Sequence, residues 1–440
     1  MENVLWRIAD LMRGYMRNED TTHAIYTMVL YKLLADFKRE AEYLREPHRI
    51  MNLTTGIEIE RLKNSVYDIK RGFEMQMREI DVARKGIESI RNLPEDTFKE
   101  VFYYLDTIDF TKEIARGNYQ LVAESFLKAQ ETIFSRTRSM NECTTPENII
   151  SILKGIMNVK GSESILDICA GTGRLLIDVG IKANRLIGQE MDGVCAEMAE
   201  INMIVANKDG EIIQSDSLIG RNNRIADVVV CHPPFGKKGF QEHYQFNNYL
   251  RWGQPAKTNL DFNFLSLVVS QMGDRGAVVV PEGVLFRGGA DGEIRERMIR
   301  ENLIEGIIAL PSGILNPSMS VPASLLILKK DRKTKDIFMF DAKSYFKPIR
   351  GGVTMSEENL KEIVSTYDEK IITDTSRFVG LKEIEENGYV LTVNRYMISE
   401  TKENDEKVSV DELIETLKTL ENDMVCSKEK TDEILKKIKN

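Results

Sequence analysis

Long apolar runs are missing from this 440-residue chain. The most apolar stretch, Ala24 to Ala35, is interrupted by Lys32 and falls well short of the ~20 residues that cross a bilayer. No basic-then-apolar leader with a small-residue cleavage site opens the sequence, so the expectation is a cytoplasmic protein with no membrane contact. Cysteine is scarce. The five (Cys143, Cys169, Cys195, Cys231 and Cys426) are scattered and form no C-x-x-C pair. That usage predicts reduced thiols and argues against a disulfide framework or a zinc site. An excess of positive charge is missing too. With 60 Lys and Arg against 69 Asp and Glu the formal net charge is −9, so bulk charge does not attract the chain to nucleic acid. Any such contact needs a local basic face or a partner's affinity. Internal repeats, low-complexity tracts and a G-x-x-x-x-G-K-[ST] phosphate loop are also absent, so translocation or cleavage driven by a nucleoside triphosphate has no seat here. What is present, 42% hydrophobic and 29% charged residues, describes an ordinary globular chain of two to three domains.

Residues 1–135 read as helical throughout. Val4, Leu5, Ile8, Leu11 and Met12 recur at helical spacing, and Ala24 to Phe37 predicts a helix buried on most sides. The stretches 58–92, 95–106 and 117–135 continue the pattern. His23 and His48 stand alone there and read as surface or satisfied core residues. Composition changes at Ser135-Arg136-Thr137-Arg138. Thr144-Thr145-Pro146-Glu147 then predicts a helix start with Thr145 as N-cap and Pro146 at the first helical position.

From 164 to about 330, strands and helices alternate. Strands are predicted at 164–168, 185–190, 211–214, 226–231, 276–280, 304–309 and 323–329, with helices at 173–180, 192–206, 260–272 and 291–301. Such alternation predicts a doubly wound, mainly parallel sheet whose ligands sit beyond the carboxyl ends of the strands. Further on, 355–369 and 381–387 read as short helices, and Asn387 to Leu391 as a turn into a strand. The stretch from Ser409 to Asn440 is an amphipathic helix that docks on a partner or on its own chain.

Two strand ends carry chemistry. The first, Asp167-Ile168-Cys169-Ala170-Gly171-Thr172-Gly173, is a strand, a glycine turn and a helix start. The glycines let backbone approach a ligand at a helix N-terminus. A dinucleotide fold would want a third glycine three positions on, where Leu176 stands, which counts against NAD. In S-adenosylmethionine sites an acid placed like Asp167 meets the methionine ammonium side of the donor. The second strand ends in Glu190-Met191-Asp192, where a carboxylate suits two ribose hydroxyls, Glu190 first and Asp192 in reserve. The third ends in Ser215-Asp216, and Asp216 suits the donor's adenine amino group. Any one of these acids alone is as readily a helix cap or a solvated loop residue.

The other strand end is His232-Pro233-Pro234-Phe235, after the apolar strand Ala226 to Val230. Two prolines stiffen the loop and remove two N–H groups, leaving carbonyl oxygens for the site and Phe235 as a stacking platform. This suits a flipped base, stacked and read by its edge. Hydrogen bonds accepted from both N–H groups of an exocyclic amine return its lone pair to nitrogen for attack on a methyl sulfonium.

The order of these segments resembles the modification (methyltransferase) subunit of type I restriction–modification systems, a family that makes N6-methyladenine in DNA and carries N-P-P-F at this loop. Thr144-Thr145-Pro146 is similar to its T-P element, Gly188-Gln189-Glu190 to its second element, and Pro281 to Gly289, Ile294-Arg295 and Leu310-Pro311 to its later core. Asn387 to Tyr396 resembles the segment before its C-terminal helices. The resemblance implies an α/β S-adenosylmethionine-dependent methyltransferase fold, Rossmann-like, with a seven-stranded mainly parallel sheet, an all-α N-terminal domain and a helical C-terminal tail. The implied divisions are 1–135 (helical), 136–345 (methyltransferase core), 346–400 (extension of the core) and 401–440 (partner-docking tail). It implies S-adenosylmethionine as cofactor, held by Thr145, Pro146, Asp167, Ala170, Gly171, Thr172, Gly173, Glu190 and Asp216. The catalytic residues would be His232, Pro233, Pro234 and Phe235. Implied partners are double-stranded DNA, a DNA specificity subunit, a second copy of the chain and a restriction or translocase subunit.

His232 is the departure, since the family has Asn there. A neutral imidazole can accept one amine hydrogen through its bare nitrogen, but it is larger and, once protonated, only donates. Two alternatives to adenine methylation therefore stand: a subunit that binds the donor without transferring methyl, and transfer to another exocyclic amine such as cytosine N4. His243 follows eleven residues later, but two histidines without a supporting set imply no metal. Lys237 and Lys238 are placed to touch a nucleic-acid backbone, whereas Arg287, in a glycine-rich turn, reads first as a structural arginine. With no target-recognition domain visible, the chain alone is expected to bind DNA weakly.

Overall fold

The computed structural model describes residues 1–397 except 42–43, 45–47, 64–68, 135–142, 220–223, 239–247, 316–320 and 351. The composition change at Ser135 to Arg138, His243 and the helix expected from Ser409 lie outside the described residues.

At the centre is a nine-stranded sheet. Its strands are β1 (Ser164–Asp167), β2 (Arg185–Glu190), β3 (Gly210–Gln214), β4 (Ala226–Cys231), β5 (Met272–Pro281), β6 (Ile304–Ala309), β7 (Ala323–Lys329), β8 (Ile337–Asp341) and, at one edge, Ser376–Val379. Between the last two, Phe346–Ile349 (β9) and Gly352–Met355 (β10) form a separate antiparallel pair, so the edge strand is β11. The spatial order is β11-β8-β6-β7-β5-β4-β1-β2-β3. Most neighbours run parallel, but β7 is antiparallel to both β5 and β6, and β11 to β8. All seven expected strands are present, and β8 and β11 extend the sheet past β6.

Strand periodicity explains why the sheet is buried on both faces. Successive side chains point to opposite sides. Ile165 of β1, Val228 and Val230 of β4 and Ala277 and Val279 of β5 pack into one core. Their neighbours Leu166, Val229, Cys231, Val278 and Val280 pack into the other. The first core is covered by the helices Glu147–Met157, Arg174–Val179 and Gly193–Val205 and merges with the N-terminal helices. The second is covered by Asp261–Gln271 and Gly289–Arg300. At burial values of roughly 25 cal/mol per Å² of apolar surface, these two layers dominate the stabilisation.

The N-terminal part is all helical. Its axis is Asn18–Arg39, in which every residue from Thr21 to Phe37 is buried, as the apolar pattern predicts. The charges within it are matched. Lys32 Nζ lies 2.6 Å from Asp36 Oδ1, and Asp36 Oδ2 accepts the Phe110 amide at 3.0 Å. His48 is a satisfied core residue on one side, its Nδ1 accepting the Ile50 amide at 3.3 Å. Burial holds its imidazole at about 4.

The helical layer is joined to the sheet layer by a buried amide pair. Asn202, on Gly193–Val205, donates to Gln130 Oε1 at 2.9 Å and to the Thr172 carbonyl at 2.8 Å. Gln130 belongs to the helix Tyr119–Phe134, and Thr172 to the glycine turn after β1.

Two local expectations fail. Thr145 does not cap the helix Glu147–Met157; Pro146 occupies the N-cap position with an extended ψ of 143°, and no side chain caps it. The Thr145 hydroxyl is used elsewhere, as described below. The Asn387 to Leu391 segment turns but forms no strand: Gly388 has φ +63°, and the Leu391 amide bonds to the Leu285 carbonyl outside the sheet. The helices expected at 355–369 and 381–387 are present as Glu357–Asp368 and Leu381–Glu386.

Candidate active site

β1 stops at Asp167 because the chain must turn into the helix Arg174–Val179, and the glycines make the turn possible. Gly171 has φ +54° and Gly173 has φ +79°, both in the left-handed region. A Cβ on Gly171 would stand 2.0 Å from the Cys143 carbonyl oxygen. That same carbonyl accepts the Thr172 amide at 3.0 Å. The turn is closed by Gly173 N–H to the Ala170 carbonyl (2.7 Å), and tied to β2 by Ala170 N–H to the Gln189 carbonyl (2.8 Å). At its far end Arg174 pairs with Asp178 and with Glu147, joining the turn to the helix Glu147–Met157.

Four carboxylates surround this turn. Glu190, at the end of β2, accepts two amides, Gly171 N–H through Oε2 and Asp192 N–H through Oε1, each at 2.8 Å. Asp192 is the N-cap of Gly193–Val205, accepting Cys195 N–H at 2.9 Å. The capping role considered for a lone acid is thus the one Asp192 has. Asp216 accepts Leu218 N–H at 2.9 Å just beyond β3. Asp167 differs from all of these. It is fully buried, its Oδ1 accepts Cys169 N–H at 3.0 Å, and its Oδ2 has no partner among the described residues. Burial, with the nearby Glu190 charge adding to it, pushes its carboxyl up to about 7 despite that amide.

A cavity of about 330 Å³ opens beyond these strand ends. Glu190, Asp192 and Asp216 line one part of it, and His232, Pro234 and Lys237 another. The acids expected on the donor side and the histidine expected on the acceptor side therefore line one cavity. Asp167, Thr145, Ala170, Thr172 and Gly173 stand behind its lining, as do Pro233, which is buried, and Phe235, which is half-buried against the core. Phe235 meets the His232 ring edge-on at 5.8 Å and 83°.

His232 is held from behind. Its Nδ1 is 3.1 Å from the Thr145 hydroxyl, 87 residues away in sequence. Thr145 is 7% exposed and His232 half-buried at the cavity wall, so the contact lies on the inner side of the ring. Desolvation pushes the His232 imidazole down to about 4, so the ring is neutral near neutral pH.

Several participants are invisible to motif reading. Cys143 reaches the cavity only because the chain before the helix Glu147–Met157 folds under the glycine turn. Gln189 lines the cavity yet is fully buried, with neither side-chain polar atom partnered among the described residues. β2 is buried at four successive positions, Leu186 to Gln189, so the signal available was a polar amide closing an otherwise apolar buried run. Phe264, from the helix Asp261–Gln271, completes the far wall.

The basic candidates divide. Lys237 and Lys238 are exposed, and the Lys237 ammonium lies 3.2 Å from Met191 Sδ at the cavity edge. Arg287 is structural. It bonds Asp261 at 2.5 Å, and Asp291 and Asn259 at 3.2 Å each, all through side chains. Among the described residues no His, Cys, Asp and Glu cluster could hold a metal ion, and no helix is long and apolar enough to cross a membrane.

The site can be tested for fit to S-adenosylmethionine on its own features. Among the described residues, Asp167 Oδ2, Thr172 Oγ1, Ser215 Oγ and both polar atoms of Gln189 are buried without partners, near a turn that at Gly171 leaves no room for a Cβ. Buried polar atoms are normally paired, so this cluster suits a polar ligand with a cationic end. The acids and the glycine cradle fit that group.

Residues 124–405 match the sequence pattern of the family described as "N-6 DNA Methylase". The chain is 26% identical over 372 residues to the type I restriction enzyme MjaVIII methylase subunit of Methanocaldococcus jannaschii, covering 78% of this chain and 63% of that protein. It is 28% identical over 324 residues to the MjaVII methylase subunit of the same organism, covering 67% of this chain and 55% of that protein. The chain thus spans less than two thirds of the length of either relative. Among solved structures it is similar to the type I restriction-modification methyltransferase subunit from Streptococcus thermophilus, with a TM-score of 0.73, 21% identity, and 90% of this chain and 98% of that chain covered. A chain from a structural study of complex assembly in the type I R-M system gives a TM-score of 0.60 at 18% identity, covering 99% of this chain and 98% of that one. At these identities the two structures share a fold with this chain.

Proposed function

This chain belongs to the N-6 DNA Methylase family, whose pattern it matches over 124–405, and from that premise we propose that it is the modification subunit of a type I-like restriction–modification system, methylating N6 of a flipped adenine in DNA. The observation that carries the reading is the single cavity lined by Glu190, Asp216 and His232. S-adenosylmethionine, when bound, supplies an electrophilic methyl group. Asp167 offers a carboxylate to the donor's ammonium side, and Glu190 to its ribose. Asp216 accepts from its adenine amino group, and the Gly171–Gly173 turn admits its backbone-facing edge. Thr145, Pro146, Ala170 and Thr172 shape and support that turn. On the other wall, His232 and the Pro233 carbonyl accept the two hydrogens of the target amine. Pro234 stiffens the loop, and Phe235 stacks on the base. The work is orientation and electron-pair localisation, with no covalent intermediate on the protein.

The proposed division of labour is a helical 1–135, a core of 136–345 extended through 346–400, and a docking tail at 401–440. Sequence recognition belongs to a DNA specificity subunit, translocation and cleavage to a restriction subunit, and a second copy of this chain serves the second half of the target. Weak binding of double-stranded DNA by the chain alone follows.

The test is co-expression with the neighbouring specificity subunit in a host lacking adenine methylation, followed by mapping of modified bases, in parallel with His232→Asn. Methyladenine at a two-part target in the native sample is the expected result. Methylation confined to the His232→Asn sample would leave a donor-binding subunit that does not transfer methyl. Methylcytosine alone would move the reaction to cytosine N4.

A further inference from the structure

His232 is bonded at one ring nitrogen and open at the other. Nδ1 meets the Thr145 hydroxyl at 3.1 Å, and Nε2 makes no hydrogen bond among the described residues. The ring lines the cavity, while Thr145 is buried behind it. We propose that Thr145 is a positioning residue: its hydroxyl accepts from Nδ1–H, which leaves Nε2 bare to accept the target amine's hydrogen and then its proton. This rests on the methyltransferase reading and gives His232 a task that an amide at the same position could not perform.

The chemistry follows from what each group can do. A neutral imidazole carries one proton, and which nitrogen holds it depends on the partner of the other. A hydroxyl can donate or accept, so it tolerates either tautomer. A target amine entering the cavity offers a hydrogen to Nε2 and thereby selects the tautomer with the proton on Nδ1, where the Thr145 oxygen receives it. As the amine nitrogen forms its bond to the methyl carbon, the bond from that carbon to the sulfonium sulfur breaks and the sulfur keeps the electron pair. The nitrogen then bears one hydrogen too many. That proton passes to Nε2, giving an imidazolium whose Nδ1–H still points at Thr145. Burial makes this imidazolium short-lived, so the proton goes on to solvent and the ring returns to neutral.

Removing the hydroxyl reverses the preference. In Thr145→Val, a proton on Nδ1 would be buried without an acceptor, so the ring would carry it on Nε2 and present a donor to the amine.

The test uses the full chain in complex with its specificity partner, labelled with ¹⁵N in the imidazoles. There are four histidines, His23, His48, His232 and His243, and His232→Asn identifies the signal by its loss. The probes are S-adenosylhomocysteine and a short duplex with a bulged adenine. Wild type and Thr145→Ser are expected to show Nδ1 protonated and Nε2 bare, and Thr145→Val the reverse. Single-turnover methyl transfer at saturating donor should slow about tenfold or more in Thr145→Val, with recovery in Thr145→Ser. The proposal is overturned if wild type holds its proton on Nε2 in the complex, or if Thr145→Val changes neither the tautomer nor the rate. Because the tautomer signal needs no turnover, a wild type that transfers no methyl would reject the methyltransferase reading while the spectrum still decides the role of the hydroxyl.

Discussion

The carboxylate of Glu190 accepts the amide of Gly171 at 2.8 Å, so the end of β2 latches the turn that follows β1. Its other oxygen accepts Asp192 N–H, which orients the start of the next helix. One side chain therefore fixes both rims of the donor side. Glu190→Ala removes two charge-assisted bonds and should lower stability by about 1.5–3 kcal/mol while weakening donor binding more than tenfold. Calorimetry with S-adenosylhomocysteine, beside a thermal melt, measures both. Unchanged affinity in a folded variant would move the donor site elsewhere.

The proposed contact of Asp167 with the donor predicts a pH dependence of donor binding with a definite sign. Its folded carboxyl titrates at about 7, above the ordinary aspartate value of 3.8. Between these two values the folded state binds more protons than the unfolded one. The contribution to stability is then largest below the unfolded pKa and is lost as pH rises toward 7. A cationic donor favours the ionised form, so its binding should release a proton below pH 7 and tighten as pH rises from 6 to 8. Titrations in buffers of different ionisation enthalpy count that proton, and Asp167→Asn should abolish it.

Gly171→Ala is expected to be the most damaging single-methyl change in the turn. It forces an L-residue to φ +54° and drives a Cβ to 2.0 Å from the Cys143 carbonyl oxygen. Backbone strain alone costs roughly 1–3 kcal/mol, before the backbone clash. Loss of donor binding should accompany a lowered melting temperature. Full affinity in this variant would mean that the turn does not approach a ligand.

Arg287 should act on stability and leave nucleic-acid contact unaffected. Asp261 and Asp291, which it pairs, are 3% and 1% exposed. Removing the guanidinium strands two buried carboxylates, so Arg287→Ala should cost about 3–5 kcal/mol. A phosphate-binding role predicts the opposite pattern, with weaker salt-dependent DNA binding and an unchanged melt.

Much of this was legible in the sequence because it is local. The glycine turn needs only the spacing of Gly171 and Gly173, and β4 and β5 announce themselves as continuous valine runs buried on both faces. β11 did not, because a strand at the sheet edge lacks that signature: Arg377 is half-buried and Phe378 exposed. β8 does carry it, in Ile337 to Phe340, all buried, and was missed as a short run among turn and charge signals. Thr145 was misread for a related reason. Threonine before Pro-Glu is a sound local capping signal, and a contact with a residue 87 positions away overrode it. Gln130 and Asn202 carried no local signal, since their pairing exists only once two layers have packed.

That pairing has a thermodynamic consequence. Asn202 holds Gln130 with the same amide group that holds the Thr172 carbonyl. A partner that docks on the helical layer and displaces Tyr119–Phe134 by more than a hydrogen-bond length must strain the turn. Linkage is reciprocal, so the same number of kilocalories by which such a partner loosened or tightened the donor would reappear in the donor's effect on the partner. On the proposed function, the amide would then couple assembly to donor binding in both directions equally.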